Sequence, residues 1–171
     1  MKKPNTRQES LLNEWALQPE GMNIEIYTPK GHFQKYKDAG IPTDKSFTIK
    51  TSELTPADWT SVFESKLNDP LGILIERVIS SLQETNQDYS IKDIINLIEK
   101  DERSKKDDKE AAINRFSAAE KWGLFEKYGT KIDELIKPGG VTVLDISAYT
   151  EASGSWSIKS LVIGLISKKL L

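Results

Sequence analysis

Apolar residues recur at two different periods along this chain, and the changes of period divide it into three segments. The first covers residues 1–50 and its signals are short. Thr6-Arg7-Gln8-Glu9 has the form of a capping box, a hydroxyl for a free helical N–H and a carboxylate three residues on that reaches back. Leu11, Leu12, Trp15 and Ala16 then fall on one helical face, before Pro19 and Gly21 end it. Residues 23–28 alternate as a strand that stops at Pro29. Residues 31–40 read as a loop with about one helical turn, and residues 46–50 alternate again as a short strand.

The second segment, residues 51–137, has the period of helices. Thr55-Pro56-Ala57-Asp58 combines an N-cap, a proline at the first helical position and an acid in the first turn. After Asp69-Pro70, the positions Leu71, Leu74, Ile75, Val78, Ile79 and Leu82 form the strongest amphipathic stripe of the chain. Ser90 precedes Ile91, Ile94, Ile95 and Ile98, and a later stripe joins Ala112, Ile113, Phe116 and Ala119 up to Gly123. Between them, residues 101–110 are all charged except Ser104, with mixed signs, which predicts a solvated, mobile helix–helix loop or frayed end. A short helix over 131–136 stops at Pro138-Gly139-Gly140.

In the third segment, residues 138–171, the pattern changes again. Residues 141–147 are nearly continuously apolar and β-branched, as in a strand buried on both faces. A polar loop over 148–156 follows, then a helix marked by Ile158, Leu161, Val162, Leu165 and Ile166, with Lys168 and Lys169 suited to its C-terminal dipole. Buried strand, loop and helix make half of a βαβ unit. Too few strands accompany it to complete a parallel sheet.

Composition narrows the function classes. The 171 residues are 37% hydrophobic and 29% charged, enough apolar content for a core. Twenty-four basic against 26 acidic residues leave a net charge of −2, so the chain is no general polyanion binder. With no cysteine there are no disulfides, thiolate metal sites or cysteine nucleophiles. His32 is the one histidine, so a site needing two imidazoles is excluded. No apolar run approaches the length of a membrane helix, and the expectation is a soluble, cytoplasmic protein.

Few residues offer chemistry. Neither G-x-x-x-x-G-K-[ST] nor G-x-G-x-x-G occurs, and Gly139-Gly140 precedes a strand where a phosphate cradle follows one. The catalytic, cofactor and metal sets are therefore empty, and the polar site candidates are Asp145 and Ser147. They lie at the C-terminal end of the apolar strand, where open α/β sheets place ligands. Asp145 either receives a polar substrate or metal-bound water there, or caps its own loop. His32, in a polar loop with no second ligand, reads as a surface or locally bonded histidine. Trp15, Trp59, Trp122 and Trp156 are not interleaved with basic residues and read as packing groups; Arg77 and Arg115 read as ion-pair partners.

Several stretches, taken in order, resemble one family: Met1-Lys2-Lys3-Pro4-Asn5, Leu12-Asn13-Glu14-Trp15-Ala16-Leu17-Gln18-Pro19-Glu20-Gly21, Ile26-Tyr27-Thr28-Pro29, Asn68-Asp69-Pro70-Leu71-Gly72, Ala112-Ile113-Asn114-Arg115-Phe116, Trp122-Gly123, and the run from Pro138 through Asp145-Ile146-Ser147. Their order is similar to the middle of archaeal HerA-like ATPases, relatives of the FtsK motors. The resemblance implies a mixed α/β, helix-dominated fold: a helical bundle insertion, 51–137, flanked by strands of an incomplete RecA-like core in 1–50 and 138–171. It implies a parent that translocates or unwinds duplex DNA as a homo-hexameric ring, using ATP and Mg²⁺, with no membrane. The family's P-loop and Walker B acids are absent from these residues, so the chain alone is expected to be catalytically silent and to meet DNA only through the assembled ring with the rest of the ATPase. The rival is a standalone helical interaction module with a closed core. The fragment reading expects exposed apolar surface near 141–147.

Overall fold

A computed structural model of the chain describes residues 3–4, 6–85, 87–149 and 155–170. Its centre is strand β1 (Ile24–Pro29), flanked in parallel by β2 (Lys45–Phe47) and β5 (Val141–Leu144), in the order β2-β1-β5. Tyr27 lies opposite Lys45 on one side and Leu144 on the other. Parallel neighbours need a crossover, and helix α2 (Lys30–Asp38) makes it between β1 and β2. The expectation of a loop with one turn over 31–40 is therefore corrected. Only Tyr36 of this helix is buried, so it has no apolar stripe for periodicity to detect.

Residues 46–50 form two strands where one was expected. β2 ends at Phe47, and β3 (Ile49–Lys50) pairs instead with β4 (Phe125–Glu126) in a second, two-stranded parallel sheet. Thr48 makes the switch: its N–H donates to Thr130 Oγ1 at 3.0 Å, and its carbonyl accepts from the Thr130 N–H at 3.0 Å.

Helices α3 (Pro56–Val62), α4 (Pro70–Glu84), α5 (Ile91–Lys100), α6 (Lys106–Lys121) and α7 (Ile132–Leu135) fill the middle segment. Thr55 with Asp58 and Ser90 with Asp93 close reciprocal capping boxes, each satisfying two otherwise unpaired N–H groups. Leu74, Ile75, Val78 and Ile79 are buried, while Leu71 and Leu82 pack at the margin. The charged run is half loop and half the first turns of α6, and it is anchored. Asp101 takes Arg77 at 2.5 Å and the Ser104 N–H at 2.8 Å, and Lys109 donates to the carbonyls of Glu99 and Asp101. Arg77 thus has the ion-pair role expected of it; Arg115 is exposed.

A contiguous core joins all three segments. Trp59 sits at its middle, with the rings of Phe63, Phe116 and Phe125 at 5.0–5.6 Å. Tyr27 and Phe47 of the sheet, and Ile158, Leu161, Val162 and Leu165 of α8 (Ser155–Leu170), belong to the same cluster. The polar loop expected at 148–156 holds a 3-10 turn, Ser147–Tyr149, and the start of α8; its residues 150–154 lie outside the described ones. Among the described residues, no helix is long and apolar enough to cross a membrane.

Three apolar features are left outside this core. β5 is not buried on both faces: Val141 and Val143 are 39% and 40% exposed, and Thr142 and Leu144 on the other face are half-buried. On α8, Trp156 and Ile163 face solvent. Helix α1 (Glu9–Glu14) and the turn after it hold Leu11, Trp15 and Leu17 exposed, at 54%, 78% and 55%. Its expected capping box does not form. Thr6 lies in a 3-10 turn, Thr6–Gln8, and Gln8 holds the N-cap position without a side-chain bond.

Candidate functional site at the sheet edge

Because β1, β2 and β5 run in parallel, their C-terminal ends share one edge, the edge at which open α/β sheets bind ligands. Asp145 and Ser147 arrive there at the end of β5. The Asp145 N–H donates to the Tyr27 carbonyl at 2.8 Å, extending the ladder, and Asp145 Oδ1 accepts the Ser147 N–H at 2.9 Å. This is a turn in which the carboxylate serves its own loop. Ser147 Oγ shares a 2.9 Å hydrogen bond with the Tyr36 hydroxyl of α2. The structure thus gives both candidates local partners two residues or one helix away.

Beside them runs an open groove of about 570 Å³. Its floor is Ile26 of β1 and Val143 of β5, neighbours in register. Ile41, Pro42, Leu144, Ile146 and Lys159 of α8 line it as well, together with Asp145 and Ser147 themselves. The walls are mainly apolar, with Asp145, Ser147 and Lys159 as the polar lining, so the groove suits an apolar group with a few polar contacts.

The junction of β1 with α2 has the strand-to-helix geometry that binds anions elsewhere, but here it is plugged. The Gly31 N–H donates to the Gly123 carbonyl at 2.9 Å. The two glycines touch through their backbones: a Cβ on Gly31 would lie 2.6 Å from the Gly123 Cα. Gly123 ends α6 at φ +62°, as its place after the stripe predicts. The helical segment therefore occupies the first turn of α2.

His32, next in sequence, meets Tyr149 edge to face, with ring centroids 5.3 Å apart. Burial, with the nearby Lys35 charge, holds its imidazole below the usual pKa and favours the neutral form. Tyr149 donates its hydroxyl to the Trp122 carbonyl at 2.9 Å, and burial pushes its pKa well up. Both rings serve packing, and neither faces a second titratable partner suited to proton transfer.

Sequence reasoning missed Tyr36, Tyr149, Lys159 and the Ile26–Val143 floor. Tyr36 sits on a helix read as a loop. The floor exists only through strand register, which a single sequence does not display. Among the described residues, no group of three His, Asp or Glu side chains is placed to hold a metal ion.

A family model described as "Helicase HerA, central domain" matches residues 14–169. No curated protein and no solved structure matches the chain.

Proposed function

The chain belongs to the HerA helicase central-domain family, and we propose that it contributes strands and a helical insertion to an ATPase of the FtsK–HerA type that drives duplex DNA through a hexameric ring. The observation that carries this reading is the family match over nearly the whole chain, joined to the architecture. A parallel sheet is interrupted between β2 and β5 by the helices of residues 51–137. On this reading residues 1–50 and 138–171 are core and 51–137 the insertion.

The nucleotide chemistry then comes from outside these 171 residues. Phosphoryl transfer in P-loop enzymes needs a backbone cradle, a lysine against the β and γ phosphates and a hydroxyl on Mg²⁺. No stretch of this sequence has that spacing, and the strand-to-helix turn from β1 to α2 is filled by Gly123. ATP and Mg²⁺ belong to the complete ATPase, and Asp145 with Ser147 shapes a turn at the sheet edge of that machine. The exposed Val141 and Val143 support a sheet face that further protein covers, against a closed standalone module.

The test has two arms. The purified chain with ATP, Mg²⁺ and duplex DNA is expected to release phosphate at the rate of a buffer control; turnover above a contaminant control overturns the claim of silence. In fluorescence anisotropy at physiological salt, duplex DNA is expected to bind weakly or not at all, since few counterions are there to release. Submicromolar, strongly salt-dependent binding would instead favour a direct DNA-binding module.

A further inference from the structure

We draw no further inference here: the strongest candidate, the cleft of about 480 Å³ between the end of β3, the turn from β4 to α7 and the end of α8, with Tyr128 exposed at its side, carries nothing, because its Lys50 and Lys169 are already held by its own Asp88 and Glu53 and nothing in the structure shows what would occupy it.

Discussion

Replacing Gly31 by alanine should weaken this protein although local preference says the reverse. Gly31 lies in the first turn of α2, and alanine is favoured over glycine in a helix by about 1 kcal/mol. The Gly123 backbone prevents that gain. An added Cβ would lie 2.6 Å from the Gly123 Cα and 3.4 Å from its nitrogen and oxygen, with no flexible side chain to move aside. Relief means separating α2 from the end of α6, which strains packing by about 1–3 kcal/mol and stretches the Gly31–Gly123 hydrogen bond, worth about 0.5–1.5 kcal/mol. The expected net loss is about 1–3 kcal/mol. Gly123→Ala should cost more, about 3–5 kcal/mol, because a left-handed φ penalises any side chain as well. Gly139→Ala supplies the control: its φ is +69° with nothing within 4 Å of the new Cβ, so it reports backbone strain alone. Urea unfolding followed by circular dichroism reads all three. A neutral or stabilising Gly31→Ala, or a Gly123→Ala within about 0.5 kcal/mol of Gly139→Ala, would refute the close approach.

Leu74→Ala or Ile75→Ala should cost about 2–5 kcal/mol in the same assay, since both side chains are fully buried; a loss under about 0.5 would mean the wrong face is inside. Glu64→Gly should stabilise by about 0.5–1 kcal/mol, because Glu64 closes α3 at φ +52° where glycine is unstrained; a loss would mean its side chain makes a contact worth more than the strain. Burial pushes the Asp101 carboxyl up, but hydrogen bonds from Ser104 and Arg77 together hold it below the usual range. A depressed folded pKa means stability present above the unfolded value of about 3.9 and lost as pH falls through the folded one. Urea midpoints between pH 6 and 3 should therefore fall less steeply for Arg77→Met than for the parent, and parallel slopes would remove Arg77 from that role.

The elements legible in the sequence were those whose signal is local. Thr55 and Ser90 announce their helices because a cap and its box lie within four residues, and the Leu74–Ile79 face is visible because one helix carries the whole pattern. What was illegible depends on partners far along the chain. Helix α2 exists to carry the chain between parallel strands and buries only Tyr36, so no stripe marks it. Residues 46–50 read as one strand because the switch at Thr48 is dictated by Thr130, 82 residues on. Residues 141–147 read as buried because β-branched runs usually are, yet exposure depends on what covers the sheet. At the site, position told where Asp145 and Ser147 lie, but not that Tyr36 bonds Ser147 or that Val143 meets Ile26 to floor a groove.

The same long-range bonds show how the helical segment is joined to the sheet. Many of the polar ties between them come from the short stretch 122–134 that follows α6, beside the ion pairs Lys50–Asp88, Lys137–Glu25 and Lys169–Glu53. The Trp122 carbonyl takes the Tyr149 hydroxyl and the Gly123 carbonyl takes the Gly31 N–H. The Leu124 carbonyl accepts the Ile49 N–H at 2.7 Å, Thr130 exchanges two bonds with Thr48, and the Glu134 carbonyl takes the Tyr27 hydroxyl at 2.9 Å. These partners lie on β1, on β3, on the first turn of α2 and on the turn after β5, the pieces that form the C-terminal edge of the sheet. The α4–α5–α6 hairpins make core contacts through Ile79, Ile94 and Phe116, in the same cluster as the rings around Trp59. The helical segment is therefore tied to the sheet in part through backbone contacts of close approach. The Gly31–Gly123 pair is one of them, so a single methyl at either glycine tests the joint directly.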